Sequence, residues 1–162
     1  GMGETTDDLV EVARELHRLS VASIPVNFFL PIPGTRLPPP NALTPEFCLR
    51  VLCLFRFLNP TADIRIAAGR EYHLRSLEVL ALYPATSLFL DGYLNAKGSS
   101  REKTLTMIRD AGFRIRSEHG TKSGNWGSGI GEQMARMETP EQKVGPELVL
   151  KTKNELRTFQ TE

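Results

Sequence analysis

Asp63-Ile64-Arg65-Ile66-Ala67-Ala68-Gly69-Arg70-Glu71, written DIRIAAGRE, decides how the rest of the chain is read. Ile64 and Ile66 alternate as in a buried strand, and the small run Ala67-Ala68-Gly69 closes it before a helix opens near Arg70. A strand leading into a helix across a short glycine turn is the unit of a parallel sheet. The feature that needs explaining is Arg65, a guanidinium between two apolar strand positions. A buried guanidinium requires an anionic partner, and an ordinary structural ion pair with a carboxylate would satisfy that requirement.

The same alternation continues on either side. Downstream, a helix from about Arg70 to Tyr83 leads to the strand Ser87 to Asp91, then to a helix from Arg101 to Ala111 stopped by Gly112. Upstream, Thr44-Pro45-Glu46 starts a helix with proline at its first position; its sequence EFCLRVLCLFRFL is apolar nearly all round, predicts deep burial, and ends before Asn59-Pro60. Before it, Ile24, Val26, Phe28 and Leu30 alternate as a strand, followed by the turn-rich PIPGTRLPPPNAL. A first helix is capped by Thr5 or Thr6, carries Asp7 and Asp8 in its first turn, and spaces Leu9, Val12, Ala13, Leu16 and Leu19 along one stripe. The expected fold is α/β: about three parallel strands with crossover helices, a piece of a (β/α) barrel of TIM type. Residues 1–116 carry it. Residues 117–162 read as a linker and a tail of little order, with at most a short helix near Glu147 to Thr158.

Composition bounds the function. The 162 residues are 40% hydrophobic and 24% charged with a formal net charge of +1, which is ordinary for one globular domain. Such a balance provides no basic field for a nucleic-acid backbone. The apolar run Ile24 to Ile32 is broken by prolines and Asn27, short of the ~20 residues of a membrane helix. Cys48 and Cys53 fall five apart within a predicted helix, so neither a disulfide framework nor a secreted fold is expected, and a reducing cytoplasm is the default. His17, His73 and His119 have no partner at metal-ligand spacing and read as surface residues. REYHLRS, with Arg70, Glu71, His73 and Arg75, reads equally as a helix start or a site rim, while GSGIGE reads as linker because no strand precedes it.

Taken together, GMGETTDDLVEVARELHRL, SIPVNFFLPIPGTRL, LTPEFCLRVLCLFRFLNP, IRIAAGREYHLRSLEVLALYPATSLFLDGYL and MIRDAGFRI resemble the C-terminal half of the biotin synthase family, in that order and spacing. Those enzymes belong to the radical S-adenosylmethionine class and fold as TIM-type barrels. The resemblance implies sulfur insertion into dethiobiotin, with S-adenosylmethionine, a 4Fe-4S cluster and a 2Fe-2S cluster as cofactors of the complete enzyme. It also implies that Arg65 is a ligand of the two-iron cluster, that Asn27 sits against the ureido ring of the substrate, and that Leu30 packs near the adenine of the cofactor. Gly3 and Glu4, at the end of a glycine-rich family motif, belong to the rim of the nucleoside site; Gly1 before Met2 reads equally as a residue left by proteolysis. The CxxxCxxC loop of the family is absent from these 162 residues. The chain alone is therefore expected to bind no cluster, and to act as part of a longer enzyme or beside an N-terminal half. Two alternatives are a noncatalytic module that forms a homodimer through open strand edges, and a related radical enzyme with another substrate.

Overall fold

The computed structural model describes residues 1–31, 34, 43–90, 98–116 and 147–151. Five strands form one sheet: β1 (Ser23–Val26), β2 (Asp63–Ile66), β3 (Ser87–Phe89), β4 (Arg114–Arg116) and β5 (Glu147–Lys151), in the order β1-β2-β3-β5-β4. Every neighbouring pair is parallel. Helices α1 (Thr6–Arg18), α2 (Pro45–Leu58), α3 (Arg70–Leu74) and α4 (Arg101–Asp110) alternate with the strands. The parallel α/β expectation is borne out: β1, β2 and β3 are the three strands expected, and β5 and β4 extend the sheet beyond them. Strand β4, only three residues long, was not expected, and the segment from Glu147 was expected to be tail with at most a short helix. ELVLK is a strand instead, because its pairing is supplied by β3 and β4, from distant parts of the chain. The expected linker, His119, GSGIGE and Asp91 lie outside the described residues.

Local signals explain the helix starts. Thr5 caps α1 by accepting from the Asp8 backbone N–H while Asp8 accepts from the Thr5 N–H, a reciprocal capping box. Thr44 caps α2 with Pro45 behind it, and Ser100 caps α4 through the Lys103 N–H. The expected helix Arg70 to Tyr83 divides: α3 ends at Leu74, Arg75 takes the left-handed φ of 52°, and Arg75–Leu82 continues as 3-10 turns. That change of winding brings Glu78 back against Arg70, at 2.9 Å.

The core forms where Ile24, Val26, Phe28, Ile64, Ile66 and Leu88 meet Ala13 of α1, Leu52 and Phe55 of α2 and Ile108 of α4. Burial of α2 is one-sided: Cys48, Val51, Leu52 and Phe55 are inside, but Phe57 is 84% exposed, so the all-round burial expected of that helix is corrected. In α1, Leu9 and Leu16 pack on the core, whereas Val12 and Leu19 are exposed. The FRFLNP phrase is structural. Arg56 donates to the carbonyls of Pro84, Asn59, Pro60 and Ala62, and Asn59 Nδ2 donates to Ala13 O at 3.0 Å and Phe55 O at 3.2 Å. Together they tie the end of α2 to α1 and to the loop that enters β2.

Candidate functional site

Alternation along β2 puts Ile64 and Ile66 in the core and sends Asp63 and Arg65 to the opposite face of the sheet. The register aligns Pro25, Arg65, Ser87 and Val149 in one row across β1, β2, β3 and β5. Arg65 is 7% exposed. Its Nη2 donates to Asp63 Oδ2 at 2.6 Å, its Nε donates to Ser87 Oγ at 3.1 Å, and its guanidinium lies over the Phe89 ring. The carboxylate reading of Arg65 is thus realised inside the strand, at i and i+2. Neither bond uses Nη1.

Asp63 is the hub of this face. Oδ1 accepts from Thr86 Oγ1 at 2.5 Å and Ser87 Oγ at 2.8 Å, and Oδ2 accepts from Ser23 Oγ at 3.3 Å as well as from Arg65. Burial pushes the carboxyl up, but the hydrogen bonds from Thr86, Ser87 and Arg65 outweigh it and hold the pKa below the usual range. A depressed pKa means that the carboxylate stabilises the fold above its unfolded value of 3.8, and that this contribution is lost as pH falls through the folded value. In acid titrations followed by circular dichroism, Asp63→Asn should lose stability less steeply than the unmodified chain below that pH.

At the strand exits, Asn27 accepts the Ala68 N–H through Oδ1 at 3.1 Å while the Phe28 N–H donates to Ala68 O at 2.9 Å. The loop after β1 is therefore sewn to the loop after β2. Asn27 is exposed, and among the described residues only its Oδ1 is engaged. Phe28 shares the buried side of Ile24 and Val26, so Asn27 belongs to the face of Arg65. Leu30 is half-buried. His73, expected at the surface, is buried: Nε2 donates to Phe29 O at 2.8 Å, and Nδ1 lies 3.4 Å from Leu43 O. Its place at the fourth position of α3 points it back at the loop after β1, a contact that no local spacing signals. His17 is exposed as expected. Gly1 also lies against Phe29 and Leu43, and the Glu4 carboxylate accepts from the Met2 N–H and pairs with the terminal ammonium. Gly3, at φ 118°, occupies a conformation that favours glycine. Gly1 thus lies beside Phe29, just past β1, and the Glu4 carboxylate is tied to it. At the start of α3, Arg70 is 2% exposed and pairs with Glu71 at 2.6 Å and Glu78 at 2.9 Å, so the structural reading of REYHLRS describes Arg70.

Among the described residues there is no group of three or more His, Cys, Asp or Glu able to hold a metal ion, and no helix long and apolar enough to cross a membrane. Cys48 is enclosed in the core and burial pushes its thiol up to about 11, away from thiolate chemistry. Brief alkylation of the folded chain near neutral pH should label the half-buried Cys53 and spare Cys48, as read by peptide mass mapping.

Residues 25–114, more than half of the chain, match the Biotin and Thiamin Synthesis associated domain. The chain belongs to that family. The matched span runs from Pro25 of β1 to Arg114 of β4 and so contains Asn27, Arg65, Asp63 and Ser87. Among curated proteins, the chain is similar to a biotin synthase of Acaryochloris marina, 56% identical over 118 residues, 73% of this chain and 34% of the relative. It is similar to a biotin synthase of Leptospira interrogans, 58% identical over 113 residues, 70% of this chain and 32% of the relative. A biotin synthase of Streptomyces avermitilis is 45% identical over 135 residues, 79% of this chain and 35% of the relative. The chain thus spans about a third of the length of the curated relatives it matches. The resemblance carried by PVNF, FRFLNP and IRIAAGRE is borne out. What the reading of this Biotin and Thiamin Synthesis associated domain missed is Asp63, Thr86 and Ser87. Only Asp63 had a signal, its i, i+2 spacing from Arg65, which puts a carboxylate and a guanidinium on one face of a strand.

Proposed function

We propose that this chain is the C-terminal portion of a biotin synthase and that its parallel sheet is part of a (β/α) barrel completed by an N-terminal half. A complete barrel of this type needs about 250 residues. The observation that carries the reading is Arg65: a buried strand arginine whose Nε and Nη2 are held by Ser87 and Asp63, while among the described residues no hydrogen bond engages Nη1. One nitrogen left over on a rigid strand suits a single ligand to a two-iron cluster. The remaining cluster ligands, and the CxxxCxxC loop for the four-iron cluster, belong to the other half.

In such an enzyme the four-iron cluster and S-adenosylmethionine, bound by the other half, would supply radical chemistry, and the two-iron cluster, held in part by Arg65, would be the source of sulfur for dethiobiotin. The residues of this chain orient and enclose. Asn27, its Oδ1 spent on Ala68, keeps an amide N–H pair for the carbonyl of a cyclic urea. Leu30, Gly3 and Glu4 form one edge of the nucleoside site beside β1. The location proposed is the cytoplasm.

The test is growth of a biotin-requiring bacterium that lacks its own biotin synthase. The 162-residue chain alone should give no growth without biotin, whereas a full-length polypeptide carrying it, or co-expression with an N-terminal half, should restore growth. Arg65→Met should abolish or strongly slow that growth. Failure of the complete polypeptide to support growth, with the protein folded and its clusters reconstituted, overturns the reading.

A second reading has its own observation. Within the described residues, β1 and β4 are edge strands with one neighbour each. A noncatalytic module that pairs with itself through these edges would elute as a dimer in size-exclusion chromatography with light scattering. The part-barrel reading instead predicts capture of an N-terminal half.

A further inference from the structure

We propose that Asp63 is a positioning residue: together with Ser87 it fixes the plane of the Arg65 guanidinium so that Nη1 alone is presented to the group that Arg65 engages. This rests on the reading of Arg65 given above. The geometry argues for it in three steps. First, a free arginine side chain samples many rotamers and its guanidinium can present any of three nitrogens, so a ligand role requires that two of them be occupied. Asp63 occupies Nη2 at 2.6 Å and Ser87 occupies Nε at 3.1 Å. Second, the carboxylate is itself immobilised: hydroxyls of Ser23 on β1, Thr86 before β3 and Ser87 on β3 all donate to it. It is anchored by both strands that flank β2. Third, the ring of Phe89 closes one face of the guanidinium, 5.8 Å from centroid to Cζ, leaving the in-plane direction of Nη1. A carboxylate that only balanced charge would not need three hydroxyls on its two oxygens. Partners that hold a metal ligand by its far side are a general device, and their removal typically costs about 10–100-fold in metal affinity.

Two measurements test the proposal. In the 162-residue chain, nitrogen-detected NMR of arginine side chains should show the Arg65 Nη groups as separate, slowly rotating signals, assigned by their loss in Arg65→Lys. Asp63→Asn should merge them by faster rotation while the backbone amide spectrum of the folded chain persists. In the full-length enzyme reconstituted with iron and sulfide, Asp63→Asn should speed loss of the two-iron cluster to a chelator by about 10-fold, followed by its visible absorption. Thr86→Val, a milder change that removes one of the three hydroxyls, should act in the same direction, and it carries the test if Asp63→Asn does not fold. If Arg65→Met leaves cluster loss unchanged, the ligand reading of Arg65 fails. If Arg65→Met speeds it but Asp63→Asn, or Thr86→Val in its place, changes neither cluster loss nor Nη rotation, the ligand reading stands and the role of Asp63 is overturned.

Discussion

Gly69→Ala should lower the stability of the chain by about 3 kcal/mol or more, a large share of the ~5–15 kcal/mol available to a domain. Two costs add. Gly69 sits at φ 81°, where an L-residue pays about 1–2 kcal/mol. A Cβ there would also be driven into the backbone carbonyl of Phe28, which cannot rotate aside as a side-chain tip would. Moving Phe28 would in turn strain its N–H bond to Ala68 and the Asn27 to Ala68 bond beside it. Urea denaturation is the measurement. With a slope of about 1–3 kcal/mol/M, the midpoint should fall by more than about 1 M. A midpoint within error of the unmodified chain would mean that the loops after β1 and β2 can separate freely, contrary to the packing described.

Arg70→Met should cost a similar amount, about 3–5 kcal/mol, because it leaves two carboxylates in a buried place without their cation. The two carboxylates differ. Burial pushes Glu71 up, but the Arg70 charge, its hydrogen bond at 2.6 Å and the Ser99 N–H at 3.0 Å outweigh it, and its pKa is lowered. For Glu78 burial wins: its approach to Arg70 Nε lacks hydrogen-bond geometry, Glu71 repels it, and its pKa is raised. A raised carboxyl pKa means that the folded state binds the proton more tightly, so stability is greatest below the unfolded value of 4.5 and declines as pH rises through the folded one. Arg70→Met steepens that decline. Its deficit should therefore narrow when pH is lowered below about 4.5, and Arg70→Met with Glu78→Gln should recover part of the loss at neutral pH. Additive losses in that double-mutant cycle would show that Arg70 and Glu78 do not interact.

The fold was readable wherever local periodicity and capping agree: Thr5, Thr44-Pro45 and Gly112 mark helix boundaries found in the structure, and Ile64 and Ile66 mark the central strand. It was unreadable where structure is imposed from a distance. ELVLK becomes a strand because two edges await it, and the left-handed turn at Arg75 has no glycine or asparagine to announce it. The candidate site divides the same way. Arg65 stood out as a charge at an apolar position, whereas Thr86 and Ser87 become its support only through the register of β2 and β3. His73 misled because a lone histidine on an amphipathic stretch gives no sign of the two carbonyls that enclose it.

The position of β5 has a kinetic consequence. Strand β3 (Ser87–Phe89) has its outer neighbour at Glu147–Lys151, and among the described residues β4 (Arg114–Arg116) joins the sheet only through that same late segment. As a ribosome makes the chain at about 5–20 residues per second, the outer side of β3 stays unsatisfied for several seconds after its own residues have emerged. During that interval β4 is the available rival for the same backbone groups, and a sheet zipped as β1-β2-β3-β4 would have to reopen to admit its true fourth strand. Emergence of Glu147–Lys151, rather than helix formation, therefore sets the moment at which this sheet can reach its final strand order.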